Sequence, residues 1–102
     1  MKLYFYHLVS EPEKTGIFCK VCEVKETEKT YRSLDRYFPT YTVTYRKDLI
    51  GRYNQGYVVF TEPNMAMAKE IFTNRQNAII ADLKLRLETE QRKLKIIEES
   101  EG

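Results

Sequence analysis

The sequence predicts an α+β fold, with a small, mainly antiparallel sheet of four to five strands followed by one long C-terminal amphipathic helix. Twelve of the 13 aromatic residues lie in the first 60 positions, in short runs separated by turn residues. After Pro63, neither glycine nor proline occurs until Gly102. The 102 residues are the length of one domain, in which we expect a β-rich part over 1–61, a helix over 62–98 and a frayed tail over 99–102.

The first two strands are predicted to form a hairpin. Residues 2–9 (KLYFYHLV) are dense in aromatic and aliphatic side chains, and turn residues follow at 10–16. Residues 17–25 (IFCKVCEVK) carry apolar side chains on both alternating faces, which is typical of a strand near the centre of a sheet. Because only a short loop separates the two runs, we expect them to pair.

Two further strands are predicted within residues 29–46. Residues 29–34 (KTYRSL) are a strand candidate, which the break at Phe38-Pro39 closes off from the next segment. Residues 40–46 (TYTVTYR) alternate strictly, so we expect a half-buried strand with one wet face. The side chains expected to share one face are those of Tyr41, Val43 and Tyr45.

A loop at 47–56, which contains two glycines, precedes a compact apolar strand at 57–61 (YVVFT). Thr61 can accept a hydrogen bond from an exposed backbone N–H, and Pro63 is tolerated in a first helical turn. We therefore expect the helix to begin directly after Thr61.

The helix carries two apolar stripes. The first is expected to cover one face of the sheet, through Met65, Ala68, Phe72, Ile79 and Leu83. The second has the a and d spacing of a heptad repeat, with Glu90 as its polar exception, and consists of Ile80, Leu83, Leu87, Leu94 and Ile97. A continuous helix is expected, although a break within 73–77, with Asn77 capping a second helix, is the alternative.

The outer half of the helix is the predicted protein-interaction surface, as a coiled-coil arm. The a and d positions could form the seam of a homodimer or the docking surface for a host protein, and packing within the chain is the alternative. From Lys84 to Gly102 five basic and five acidic residues mix along the helix, unlike a basic membrane-binding helix. We therefore predict a binding module that does not contact a membrane.

A second hypothesis places single-stranded nucleic acid on the sheet. Between Lys29 and Tyr53 there are six basic and two acidic residues, a local net charge of +4, interleaved with tyrosines that could stack on bases. The possible contacts are Arg32, Tyr41, Tyr45, Arg46, Lys47 and Arg52.

Cys19 and Cys22 have the spacing of half a zinc site or a redox pair, and His7 could add a third ligand. Residues three apart on a strand point to opposite faces, so we expect two reduced, buried thiols instead. No other arrangement is specific for a reaction. We predict a protein without enzymatic activity, metal or cofactor.

A net charge of +2 gives no global preference for nucleic acid or membrane, and no run approaches the roughly 20 apolar residues of a membrane span. The N-terminal run is too short and too aromatic for a secretory signal. A cytoplasmic location is expected.

Three short blocks, Lys29-Thr30-Tyr31-Arg32, residues 46–51 (RKDLIG) and residues 56–61 (GYVVFT), precede residues 68–72 (AKEIF) and a charged helix. In these blocks the chain resembles small uncharacterised proteins encoded by phages and prophages of Gram-positive bacteria. The resemblance implies an accessory protein in a bacterial host cell that binds host machinery, and it carries over no catalytic residue.

Overall fold

A computed structural model describes residues 1–100 and shows a six-stranded antiparallel sheet followed by one helix, which confirms the α+β class. The strands are β1 (Lys2–Glu11), β2 (Lys14–Glu26), β3 (Thr30–Ser33), β4 (Thr44–Arg46), β5 (Tyr53–Asn54) and β6 (Tyr57–Phe60). A 3-10 helix (Lys47–Leu49) lies between β4 and β5, and α1 spans Met65–Glu99. The prediction of four to five strands was wrong, because β5 lies in the segment predicted to be a loop.

The strand order is β4-β3-β2-β1-β6-β5, with every neighbouring pair antiparallel. The chain divides into two compact units: residues 1–72 contain the sheet and the start of α1, and residues 73–102 contain the rest of α1. No helix within residues 1–100 has the length and apolar character that spanning a bilayer requires.

The predicted hairpin of β1 and β2 is confirmed. It is longer than the apolar runs alone suggested, since ten residue pairs extend from Lys2 opposite Glu23 to Glu11 opposite Lys14. Pro12 and Glu13 form the turn, where a proline costs no ladder hydrogen bond. The hairpin places β1 and β2 at the centre of the sheet.

Each face of the sheet carries a hydrophobic core. Directly opposite residues of antiparallel strands project to the same side, so the strand register assigns each core residue to one face. On the first face, which we call the loop-covered face, Phe5 stacks on Phe38 with ring centroids 5.1 Å apart. The buried residues of this core are Leu3, Phe5, Cys22, Val24, Tyr31, Phe38, Tyr45 and Val59. On the second, helix-covered face the buried residues are Tyr6, Val58, Phe60, Ala68 and Phe72.

The predicted strand at 40–46 is shorter than expected. Only Thr44–Arg46 pair in the sheet, because a tight turn precedes them: the Phe38 N–H donates to the Thr42 carbonyl at 2.8 Å. At Tyr41 the backbone has φ 61°, and its side chain is 89% exposed, whereas Tyr45 is only 3% exposed. The shared buried face predicted for Tyr41, Val43 and Tyr45 was therefore correct for Tyr45 alone.

The helix begins at Met65, three residues later than predicted. Asn64 caps it, since its side-chain Oδ1 accepts the Met67 backbone N–H at 3.1 Å. The Asn64 N–H in turn donates to the Tyr6 hydroxyl at 2.8 Å, which fixes the cap against β1. Thr61 is not the cap.

The predicted continuity of the helix is confirmed, because α1 is a single element without an interruption at 73–77. Its buried residues are Ala68 and Phe72. Met65 and Leu83, which were expected to cover the sheet, are exposed, and Ile79 is half-buried. The frayed tail predicted for 99–102 includes Glu101 and Gly102, which lie outside the described residues.

Candidate interaction surfaces

The outer part of α1 presents the predicted heptad stripe to solvent. Every residue from 80 to 100 is exposed. The apolar members are between 40% and 69% exposed, and they are Ile80, Leu83, Leu87, Leu94 and Ile97. Leucine and isoleucine side chains that repeat every three and four residues lie on one side of a helix, so these five share one face, on which Glu90 interrupts the apolar strip. We call this strip the helical stripe.

Local interactions alone stabilise this part of α1 only weakly. Arg86 pairs with Asp82 at 3.1 Å, and Lys93 pairs with Glu90 at 3.1 Å. Exposed helical pairs of this kind contribute about 0.3–0.5 kcal/mol each. Most helical stability in proteins comes instead from packing of an apolar face. No other residue of 73–100 covers the helical stripe, so this part of α1 lacks the packing that stabilises most helices.

Two further large apolar side chains in residues 80–100 of α1 were missed by the sequence analysis. Leu85 and Ile96 are 62% and 59% exposed. At 100° per residue they lie on the side of the helix opposite the helical stripe. The sequence analysis did not select them because they lie outside the heptad pattern. Substitutions at these two positions can serve as controls for substitutions in the helical stripe.

The six residues proposed to contact nucleic acid do not form one surface. Tyr45 is buried on the loop-covered face, so its ring cannot stack on a base. Arg32 and Arg46 project to the opposite face, because their register alternates with that of Tyr45. Arg46 pairs with Asp48, and Lys47 pairs with Glu26 at 2.9 Å. The remaining candidates, Tyr41 and Arg52, are exposed in separate loops.

The two cysteines lie on opposite faces of β2, as their spacing predicted. Cys19 is opposite Tyr6 on the helix-covered face, and Cys22 is opposite Leu3 on the loop-covered face. Both are free thiols, but the expectation that both are buried was wrong, since Cys19 is exposed. His7 lies opposite Phe18, on the same face as Cys22 but four residue pairs away from it along the hairpin. Within residues 1–100 no three potential metal ligands cluster.

Desolvation affects both thiols. It raises the pKa of Cys22, and the nearby Lys20 charge offsets part of this increase. Desolvation also raises the pKa of Cys19, and a hydrogen bond with Tyr6 offsets part of this increase. A raised pKa reduces the fraction of reactive thiolate at neutral pH. Neither cysteine is therefore activated as a nucleophile.

A cavity of about 450 Å³ lies on the loop-covered face, at the end of the sheet where β1, β2 and β6 meet the segment 36–41. Besides Phe38 and Pro39, the residues that line it are His7, Lys20, Arg36, Tyr37, Tyr41 and Tyr57. The ring centroids of His7 and Tyr57 are 5.4 Å apart, and the Nδ1 atom of His7 has no hydrogen-bond partner among residues 1–100. Apart from Tyr41, the sequence analysis did not assign these residues to a shared binding site.

Comparison of the chain with protein-family models, with curated proteins and with solved structures finds no match.

Proposed function

We propose that this chain is a non-catalytic protein-binding module whose binding surface is the helical stripe. One observation supports the proposal most directly: five apolar side chains at a and d positions are all exposed, in a stretch where every residue from 80 to 100 is exposed. Water-exposed leucines in register provide the surface that another helix packs against in a coiled coil. The partner is a second copy of the chain or a host protein.

The cellular setting belongs to the same proposal. The resemblance to phage and prophage proteins supports an accessory role in the cytoplasm of a bacterial host, where the module would bind host machinery. Basic and acidic residues mix along α1, and two of the pairs that they form lie within the helix itself. The stripe is thus an apolar strip beside charges of both signs, as in helices that bind other helices.

The first test is the molar mass in solution, measured by size-exclusion chromatography with light scattering. If two copies associate through the stripe, we expect about twice the 12.2 kDa of one chain. Leu87→Lys combined with Leu94→Lys should then give a monomer. Each buried leucine contributes about 1.5–3 kcal/mol, and four are lost per dimer.

The control places the same charges on the other side of the same helix, as Leu85→Lys combined with Ile96→Lys. This variant should associate like the unmodified chain, and circular dichroism should show equal helix content in both variants. Should the unmodified chain be a monomer, the same two variants are compared in capture of binding proteins from a bacterial lysate. A stripe variant that associates, or captures proteins, as well as the control variant contradicts the proposal.

A further inference from the structure

The cavity on the loop-covered face has the features of a small-molecule site. Its volume of about 450 Å³ lies within the range of roughly 300–1,000 Å³ that is usual for such sites. Its walls come from separate parts of unit 1–72: His7 and Lys20 from the central hairpin, Tyr57 from β6, and the rest from the segment 36–41. A rigid sheet thus forms one wall, and a loop forms the other.

The charge of the cavity is positive and unneutralised. Lys20 and Arg36 both line it, no carboxylate does, and neither cation forms an ion pair with any residue of 1–100. By contrast, Arg46 and Lys47, on the β4 side of the sheet, are both paired with acidic residues. Unpaired lysine and arginine side chains at one cavity are suited to a phosphate or carboxylate.

Two tyrosine rings at the same cavity are largely uncovered. Tyr37 is 59% exposed and Tyr41 is 89% exposed, although tyrosine is a residue type that usually buries its ring. The backbone at Tyr41 has φ 61°, a conformation that costs a non-glycine residue about 1–2 kcal/mol. Hydrogen bonds around the turn maintain it, since the Tyr41 N–H donates to the Phe38 carbonyl at 2.8 Å. The turn therefore holds an aromatic ring in solvent beside two free cations.

We propose that this cavity binds a nucleoside monophosphate. Lys20 and Arg36 hold the phosphate, and the exposed rings of Tyr37 and Tyr41 stack on the base. An anion alone would leave the rings uncovered, and an uncharged ring would leave the cations unpaired, so a ligand that carries both groups satisfies the site. The site is separate from the helical stripe and does not depend on the function proposed for it.

The ligand side of the test uses the unmodified full chain and isothermal titration calorimetry. Adenosine, guanosine, cytidine and uridine monophosphates are each titrated to about 10 mM, at which a site with a Kd of about 1 mM is mostly filled. At least one should bind. Adenosine without phosphate, ribose 5-phosphate without a base and inorganic phosphate should each bind at least about tenfold more weakly, a difference of about 1.4 kcal/mol.

The protein side uses two matched pairs of substitutions. Lys20→Gln combined with Arg36→Gln should weaken binding at least about tenfold, while Lys25→Gln combined with Arg32→Gln, which lie outside the cavity, should not change it. Tyr41→Gly removes the ring at a backbone position that suits glycine, and it should weaken binding while the melting temperature is maintained.

Four results would overturn the proposal. Three of them are the absence of binding by all four monophosphates, inorganic phosphate binding as tightly as the best of them, and equal loss in the cavity variant and its control. A single-stranded oligonucleotide that binds at least about tenfold more tightly than any monophosphate would also overturn it, because the ligand would then be a nucleic acid strand. The comparisons among ligands do not depend on whether any variant folds.

Discussion

The hydroxyl of Tyr45 gives the sharpest test of the core packing. The ring belongs to the loop-covered core and makes edge contacts with Phe5 at 5.4 Å and with Phe38 at 6.4 Å between ring centroids. The hydroxyl at its end is buried and has no hydrogen-bond partner among residues 1–100. Burial raises the pKa of Tyr45, and an interaction with the side chain of Asn54, which does not reach hydrogen-bond geometry, lowers that pKa only in part. The ring of Tyr45 therefore stabilises the core, whereas its hydroxyl group destabilises the folded chain.

Tyr45→Phe keeps the ring and removes the unsatisfied oxygen. Leaving a polar group buried without a partner costs about 1–3 kcal/mol, so we expect the free energy of unfolding to rise by about 1 kcal/mol. For a domain of this size that corresponds to a melting temperature about 4–8 °C higher. The opposite result is expected for Tyr6→Phe, because the Tyr6 hydroxyl accepts the Asn64 backbone N–H at 2.8 Å. Its loss should lower the free energy of unfolding by about 1 kcal/mol.

Urea denaturation followed by circular dichroism measures both variants against the unmodified chain. Since folding raises the pKa of Tyr45, its neutral form contributes stability that is complete below the unfolded pKa of about 10 and is lost as pH rises above it. The advantage of Tyr45→Phe should therefore grow between about pH 8 and pH 10.5. A Tyr45→Phe chain that is less stable than the unmodified one at pH 8 would show that the hydroxyl has a partner and would refute this account.

Two further predictions concern the helix and the thiols. If two copies of the helical stripe form a seam, Glu90→Leu completes its a and d positions and adds two buried leucines per dimer. It should tighten association by at least about 100-fold in light-scattering dilution series, whereas Glu88→Leu should have little effect. Iodoacetamide near pH 7 should label exposed Cys19 slowly, because its pKa is raised, and buried Cys22 only after denaturation, as peptide mass spectrometry would show. Equal labelling of both thiols in the folded chain would contradict the register of β2.

Local patterns were sufficient for the parts of the fold that local interactions determine. The hairpin of β1 and β2 follows from two apolar runs and a proline turn, and the continuity of α1 follows from the absence of glycine and proline. The two-residue strand β5 exists only because its residues pair with β6, so no propensity could reveal it. The backbone at Tyr41 likewise depends on a turn closed by Phe38 and Thr42, which overrides the alternation of the segment.

The candidate sites differ in the same way. The residues of the helical stripe could be identified from the sequence, because they repeat within one helix, but their exposure could not, since Leu83 was also expected to cover the sheet. The cavity could not be predicted, since its walls come from residues 7, 20, 36–41 and 57, which only the strand order brings together. Tyr41 was selected for its proximity to six basic residues in the sequence, but only Arg36 among them shares its cavity, and the second cation there is Lys20.

The hydrogen bond between Tyr6 and Asn64 makes the start of α1 dependent on β1. The two residues are 58 positions apart, and the side chain of Asn64 also caps the first turn through the Met67 N–H. A helix end that only its own neighbours stabilise frays independently of the rest of a protein. Here the first turn is held by a strand, so its opening is coupled to the opening of the sheet. The amide protons of Met67 and Ala68, which donate to Asn64, should consequently exchange with solvent at the rate of the central strands, as expected if the helix start and the sheet open as one cooperative unit.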